Sequence, residues 1–470
     1  METRARHFKA NAAAALANPV LQANLKTSKS KFVDKRAIAI QELDDFEGTR
    51  EAAKNIRDRV LNNLDLWLEK FEETATARGA TVLWAKDSAE ICRHVVDIGR
   101  RHNVKKAAKS KSMLSEEASL NRALEAAGIQ PVETDLGEYI LQINDNEAPS
   151  HIIAPVVHKS LDEVADLFHA THKTPRKTEI SALTREAREV LRPHFLSADM
   201  GISGGNFLVA ETGSVALVTN EGNGRMVTTL PRVHVVITGI EKVIPTLEDL
   251  ALLMRLLPRS ATGQSISNYV SVLTGVKQPE ESDGPEHLYF ILVDNGRADV
   301  VGSEFHDMLR CIRCGACMNH CPVYQTIGGH AYGWVYPGPM GAILTPLYTG
   351  LENAIDLPHA STLCNQCGVV CPVKIPLPEL LRKLREKQVD GNLRPLFERL
   401  ALKAWAWVAG YPMLYGMATW FGVRYLKWLA DGKSSIPILG AAPEWSVGRN
   451  FPAPEGKTFR EMYAKKKGKQ

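Results

Sequence analysis

Thiols are scarce where a secreted scaffold would need them. Cys92 is the only cysteine before Cys311, and the other seven of the eight fall between Cys311 and Cys371. A disulfide-held domain would be short and would spread its cysteines evenly. The crowding argues instead for metal-binding thiols in a reducing compartment. The opening segment METRARHFKANAAAALANPVL has no continuous apolar stretch of the secretory kind, which also points to the cytoplasm. Charge of one sign is lacking too: 57 Lys and Arg against 53 Asp and Glu leave a net +4 spread along the chain. That balance argues against a dedicated nucleic-acid binder. The basic tail Lys465–Lys466–Lys467–Gly468–Lys469 reads as a solvated, frayed end, with a membrane or partner contact as the alternative.

Long apolar runs are few. Ala404–Val423 has no charge, but Gly410, Pro412, Gly416 and Gly422 interrupt it and Lys403 and Arg424 flank it. Its modest hydropathy disfavours a transmembrane span. The preferred reading is a buried helix pair broken at Gly410–Pro412; the alternative is a face resting peripherally on a membrane or a partner subunit. Nucleotide fingerprints are absent: no G-x-G-x-x-G follows a strand, no Walker motif occurs, and no Ser/His/Asp order stands out.

At 470 residues the chain is too long for one core and predicts two or three folded units. Residues 1–73 read as a helical arm packed on the next domain, with Ile40, Leu43, Phe46, Ile56, Val60, Leu64 and Trp67 near helical period. Residues 74–299 alternate strand-like and helical stretches, which predicts an α/β domain with a largely parallel sheet. The strand candidates are ATVLWA, QPVETD, SHIIAPVV, NFLVAETGSVALVTNE, HVVITGI and HLYFILVDN. SEEASLNRALEAAG predicts one helix with Ser115 as its cap and Gly128 after its end. Residues 300–390 are rich in Cys, Gly and Pro and close on a helix over Pro378–Lys387; residues 391–470 follow as a separate region.

The first cysteine run is Cys311-x2-Cys314-x2-Cys317-x3-Cys321-Pro322. Three thiols at this spacing wrap one cubane, and the fourth, before proline, turns toward a second cluster. The second run, Cys364-x2-Cys367-x3-Cys371-Pro372, repeats the ending, but Ser361 stands where the first cysteine belongs. Exchange of the fourth cysteines assigns Cys311, Cys314, Cys317 and Cys371 to cluster 1. Cluster 2 takes Cys321, Cys364 and Cys367, one thiolate short. The missing ligand is Ser361 oxygen, a histidine such as His359, a water, or nothing in a three-iron cluster. Zinc needs neither the x3-Cys-Pro ending nor seven thiols, and soft thiolates suit iron–sulfur clusters. The long separation of the runs suggests a helical ferredoxin module rather than the small β-rich type.

Cys92 reads as a buried apolar thiol, and His94 and His151 as structural histidines. Gly204, Gly205, Gly213, Gly222 and Gly224 flank two strand-like runs and fit either hairpin turns or the approach of a phosphate- or nucleotide-like ligand. Glu211 is the one acid there singled out as functional.

Lys109–Ile143, Asn206–Asn223 and the two cysteine runs together resemble the lactate utilization protein B family. The resemblance implies a LUD domain (NagB/RpiA/CoA transferase-like, similar to sugar isomerases and CoA transferases), then a ferredoxin-type module and a family-specific C-terminal region. It further implies work with companion proteins A and C, and with electron donors and acceptors, in oxidising L-lactate to pyruvate. The missing eighth thiol at Ser361 agrees with the family. Three functions are open at this point: an electron-transfer subunit, an oxidoreductase acting by itself on a small 2-hydroxy acid in the LUD pocket near Glu211, or a redox or iron sensor. Isomerase-like folds do not decide among them.

Overall fold

A computed structural model of the chain describes residues 3–437 and 449–467. The chain divides into two compact units, Met1–Lys387 and Gln388–Gln470. The first holds the α/β part and both cysteine runs.

Its centre is a six-stranded, all-parallel sheet. The strands are β1 (Thr81–Ala85), β2 (Lys106–Lys109), β3 (Gln130–Glu133), β4 (Met200–Ser203), β7 (Val233–Gly239) and β10 (His287–Val293), in the order β1-β10-β7-β4-β2-β3. β7 is buried along its whole length, and β10 from Leu288 onward. Continuous apolar runs of this kind are what a parallel strand covered on both faces requires. Residue register is direct, with Ile237 of β7 opposite Ile291 of β10.

A second sheet was not legible as such. β5 (Phe207–Val209) and β6 (Ser214–Thr219) form a hairpin, β8 (Val243–Ile244) adds in parallel, and β9 (Tyr269–Thr274) adds antiparallel, giving the order β8-β5-β6-β9. The hairpin turn demands glycine. Gly213 has φ +67°, and a Cβ there would meet the backbone N of Ala75 at 2.4 Å.

The N-terminal residues form helices α1 (Phe8–Ala17), α2 (Pro19–Gln41), α3 (Phe46–Leu61) and α4 (Leu64–Ala77). Asp45 caps α3 by accepting from the amide of Gly48 at 2.8 Å. The arm packs on the α/β part, and also reaches the cysteine-rich part: Arg36 Nη2 donates to the carbonyl of Val370 at 2.9 Å, and Arg50 Nη2 to that of Cys371 at 2.7 Å.

Two local expectations are corrected. SHIIAPVV is not a strand but a run of turns. The ring Nδ1 of His151 accepts from the amides of Ile153 (2.9 Å) and Ala154 (3.0 Å), taking donors that a ladder would need. SEEASLNRALEAAG splits into helices Met113–Glu117 and Leu120–Ala126, because Ser119 sits in the left-handed region at φ 53°. The cap is Ser112, which accepts from the amide of Ser115. Gly128 does follow the second helix with φ +76°.

Among the described residues, no strand occurs from Val301 to Asp390. The cysteine-rich part is helices and turns, closing on Leu377–Asp390.

In the second unit, helices Leu396–Gly410 and Pro412–Ala430 break where Gly410 and Pro412 stand. The expected burial is not found: Ala430 is the only buried residue in either helix, while Phe397, Trp405, Trp407, Met413 and Trp428 are exposed. Apolar side chains surround these helices instead of forming one stripe, so a pair cannot cover them all. No described helix is long and apolar enough to cross a membrane. Lys465–Lys467 end the exposed final helix Phe459–Lys467; Gly468 and Lys469 lie outside the described residues.

Candidate functional site

The two cysteine runs fold alike. Arg313 and Gly315 flank Cys314 with positive φ (58° and 76°), and Leu363 and Asn365 flank Cys364 in the same way (55° and 65°). In each run the left-handed residue before the cysteine turns its amide onto the side chain two residues back, Arg313 onto Cys311 and Leu363 onto Ser361. A short helix then begins, Ala316–Asn319 in one run and Gln366–Val369 in the other, and each run ends on Cys-Pro.

Cys311, Cys314 and Cys317 line one small cavity together with Cys371 of the other run. Cys321 and Cys364 raise the thiol of Cys367, and Cys364 that of Cys321, while Cys317 feels both Cys367 and Cys371 of the other run. The folding therefore gathers thiols of both runs, with Cys371 of the second in one cavity with Cys311, Cys314 and Cys317 of the first. Burial pushes Cys314 up to about 12, with Cys371 adding to the shift. Burial, then Cys321, pushes Cys367 up to about 12. Crowded, buried thiols of this kind become thiolates when metal replaces their protons. Backbone amides are aimed to support such sulfurs: Arg313 donates to Cys311 Sγ and Ile375 to Cys371 Sγ, both at 3.4 Å. The donor set fits iron–sulfur clusters.

At Ser361, the amide of Leu363 donates to Oγ at 3.1 Å. This is the same i+2 contact that Arg313 makes to Cys311 Sγ. His359 is exposed on the turn Leu357–His359. Cys92 is half-buried, its Sγ 3.3 Å from the carbonyl of Ala118, against a different hydrophobic core from Cys314, Cys321, Cys367 and Cys371. His94 bonds the carbonyl of Trp84 and His151 bonds Asn319 Oδ1 at 2.8 Å, both structural as expected.

A larger pocket, of about 440 Å³, opens in the α/β part. It lies where the adjacent strands β2, β4 and β7 end, lined by Ser110–Ser112, Gly204–Asn206, Thr238, Gly239, Glu241 and Lys242 among others. The carboxyl ends of parallel strands are where such sheets bind ligands. Of the marked glycines, Gly204 and Gly205 line it; Gly213 serves the hairpin turn. Glu211 does not reach the pocket. It is exposed, and its carboxylate accepts from the amide of Leu247 at 3.1 Å, at the start of helix Leu247–Ala261. The functional reading of Glu211 is corrected to a helix-end contact.

Sequence reasoning missed the charged wall of this pocket. Arg297 pairs with Glu117 (3.2 Å) and Glu241 (3.0 Å), and Arg313 with Glu241 (3.5 Å). Burial would push Glu241 up, but Arg297, Lys242 and Arg313 hold it at about 2. Burial, with Arg313 adding to it, pulls Lys242 down to about 7. Tyr336 donates to Glu117 Oε2 at 2.6 Å. The signal available was the Glu241–Lys242 pair directly after the strand-like run VHVVITGI. Ile312 and Arg313 line both this pocket and the four-thiol cavity, so the two share a wall.

Comparison with known proteins agrees with this layout. Residues 68–293 match the LUD domain, 307–375 a 4Fe-4S dicluster domain, and 380–468 the C-terminal region of lactate utilisation protein B. The cysteine-rich part thus holds iron–sulfur clusters. Lactate utilization protein B of Bacillus licheniformis is 42% identical over 98% of this chain and 97% of that protein. The namesake of Bacillus subtilis is 42% identical over 97% of this chain and 96% of that protein. A protein of Escherichia coli described as an uncharacterized electron transport protein, YkgF, is 40% identical over 97% and 96%. The chain belongs to the lactate utilization protein B family.

Proposed function

We propose that the chain is the iron–sulfur electron-transfer subunit of a multi-protein system that oxidises L-lactate to pyruvate, working in the cytoplasm with companion lactate utilization proteins A and C. The observation that supports it most is the cavity in which Cys371 of the second run meets Cys311, Cys314 and Cys317 of the first. In this reading Cys311, Cys314, Cys317 and Cys371 hold cluster 1. Cys321, Cys364 and Cys367 hold cluster 2, with Ser361 Oγ as the fourth ligand. Such clusters supply one-electron transfer at potentials set by hydrogen bonds, charge and burial. The chain's own residues set those conditions. The guanidinium of Arg50 donates to the carbonyl of Cys371, Lys242 Nζ donates to that of Cys311 at 3.2 Å, and the amides of Arg313 and Ile375 donate to Cys311 Sγ and Cys371 Sγ. Cations held so close favour added negative charge.

The segments 1–73, 74–299, 300–390 and 391–470 then serve as arm, LUD domain related to the NagB/RpiA/CoA transferase group, helical ferredoxin module and family-specific region. The exposed aromatic faces of Leu396–Gly410 and Pro412–Ala430 support a peripheral membrane contact through 404–423, read by co-flotation with anionic vesicles.

The test is reconstitution of the complete system under anaerobic conditions. L-Lactate reduces the chain's clusters only when the companions are present, and leaving out this chain stops flow to the acceptor. Clusters that stay oxidised in the complete system would contradict the proposal.

A further inference from the structure

Three side chains that the electron relay does not use converge where the α/β part meets the cysteine-rich part. Glu147 follows helix Leu136–Ile143, His158 follows the run of turns SHIIAPVV, and His330 opens the turn His330–Tyr332. Each offers a ligand atom, and these atoms lie within 4.8 Å of one another. The backbone holds the two segments tightly together. A Cβ at Gly329 would meet the carbonyl oxygen of Ser150 at 1.8 Å, so only glycine allows this approach. Tyr324 Oη donates to that same carbonyl at 2.7 Å, and His330 Nε2 to the carbonyl of Ala148 at 2.7 Å.

The hydrogen bonds fix which ring nitrogens carry lone pairs. Ser150 directs its hydroxyl proton to the carbonyl of Pro155 at 3.1 Å, and so accepts from His158 Nδ1 at 2.6 Å. The lone pair of His158 is thereby placed on Nε2. Only 10% of this side chain is exposed, and Nε2 has no hydrogen-bond partner among the described residues. It stands 3.2 Å from Glu147 Oε1, itself an acceptor. Two acceptors at this distance suit a cation between them. The other oxygen of Glu147 is already filled, by Lys159 Nζ at 2.6 Å and Asn144 Nδ2 at 2.7 Å. These donors orient the carboxylate and leave Oε1 to the cation. His330, donating through Nε2, keeps its lone pair on Nδ1.

We propose that Glu147, His158 and His330 form a binding site for a divalent transition ion of the zinc class. Two imidazoles and one carboxylate suit such an ion, whereas magnesium and calcium take oxygen ligands. Ligands of a tetrahedral zinc ion at about 2.0 Å lie about 3.3 Å apart. Glu147 Oε1 and His158 Nε2 already stand near that spacing. Glu147 and His330 also line a cavity of about 810 Å³, from which a water can fill the fourth position. The ion ties the segment 147–158 to His330, which follows Cys321 by nine residues. The site shares no residue with the thiol groups, so it stands or falls independently of the relay.

The experiment uses the full-length, iron-loaded chain kept anaerobic, dialysed against zinc and freed of loose metal by gel filtration. Zinc and iron are counted together, and the zinc X-ray absorption edge reports the ligand type. The expected result is about one zinc per chain with iron unchanged, bound by nitrogen and oxygen at about 2.0 Å with no sulfur at about 2.3 Å. Excess magnesium leaves the zinc in place. Glu147→Gln and His330→Ala each weaken zinc binding at least about tenfold, again with iron unchanged. His330 is exposed, so its replacement tests the site without opening the core. Zinc raises the unfolding temperature of the parent chain and of neither variant. No retained zinc, sulfur in its shell, displacement by magnesium, or equal binding by both variants would overturn the proposal and leave His158 and Glu147 as a plain ion pair.

Discussion

Ser361 Oγ occupies in the second cysteine run the place that Cys311 Sγ occupies in the first. Each accepts from the amide two residues on, at 3.1 Å from Leu363 and 3.4 Å from Arg313. Each precedes a cysteine flanked by two left-handed residues. The backbone thus presents an oxygen where the repeat presents a sulfur. Replacing Ser361 by Cys is expected to give an all-thiolate cluster 2 that withstands air longer. Ser361→Ala leaves that corner open and yields a three-iron EPR signal in the oxidised protein. Identical spectra in all three proteins would remove Ser361 from the ligand set.

The exchange of fourth cysteines gives a second expectation. Cys371 lies in the second run but shares its cavity with Cys311, Cys314 and Cys317. Cys371→Ser is expected to damage cluster 1 and spare cluster 2, resolved by EPR at graded potentials. Loss of cluster 2 alone would reverse the assignment.

The hairpin turn at Gly213 sets a stability prediction away from the clusters. Its φ of +67° and the 2.4 Å approach of a Cβ to the backbone of α4 leave no room for alanine. Gly213→Ala is expected to cost about 2 kcal/mol or more in denaturant unfolding. A change within about 0.5 kcal/mol would mean that α4 yields at that point.

His234, at the heart of β7, bonds Ser203 Oγ at 2.8 Å and is held neutral by burial, its value pulled down to about 3. The folded chain refuses the proton that the unfolded chain accepts below about pH 6.5. Stability from this residue is therefore complete above that pH and falls as the pH drops toward 3. The slope is about 1.4 kcal/mol per pH unit for the one histidine. His151, buried and pulled down to about 4, adds in the same direction. Urea midpoints at pH 7 and pH 5 check this, with His234→Gln expected to flatten the difference.

The sequence was most informative where chemistry needs a fixed spacing. Seven thiols, their proline endings and the gap at Ser361 were readable because cluster ligands tolerate no shift of register. The parallel sheet was readable because β7 and β10 are runs dominated by apolar, β-branched and aromatic residues. SHIIAPVV misled because a side chain, the His151 ring, captures the amides that strand pairing would have used. Glu211 misled because an acid beside Thr-Gly-Ser looks alike whether it meets a ligand or the amide of Leu247. The charged pocket wall stayed hidden because it is assembled from residues as distant as Lys111, Glu241, Arg297 and Arg313. Helix burial at 404–423 failed because low charge and packing are different properties, and aromatic side chains there face outward.

The central claim, two iron–sulfur clusters held by thiols exchanged between the runs, is tested most directly by iron and sulfide content with EPR. The protein is purified anaerobically and measured as isolated and after dithionite. The account predicts about eight irons and two interacting reduced cubanes per chain. Zinc in the preparation with no EPR signal would contradict it.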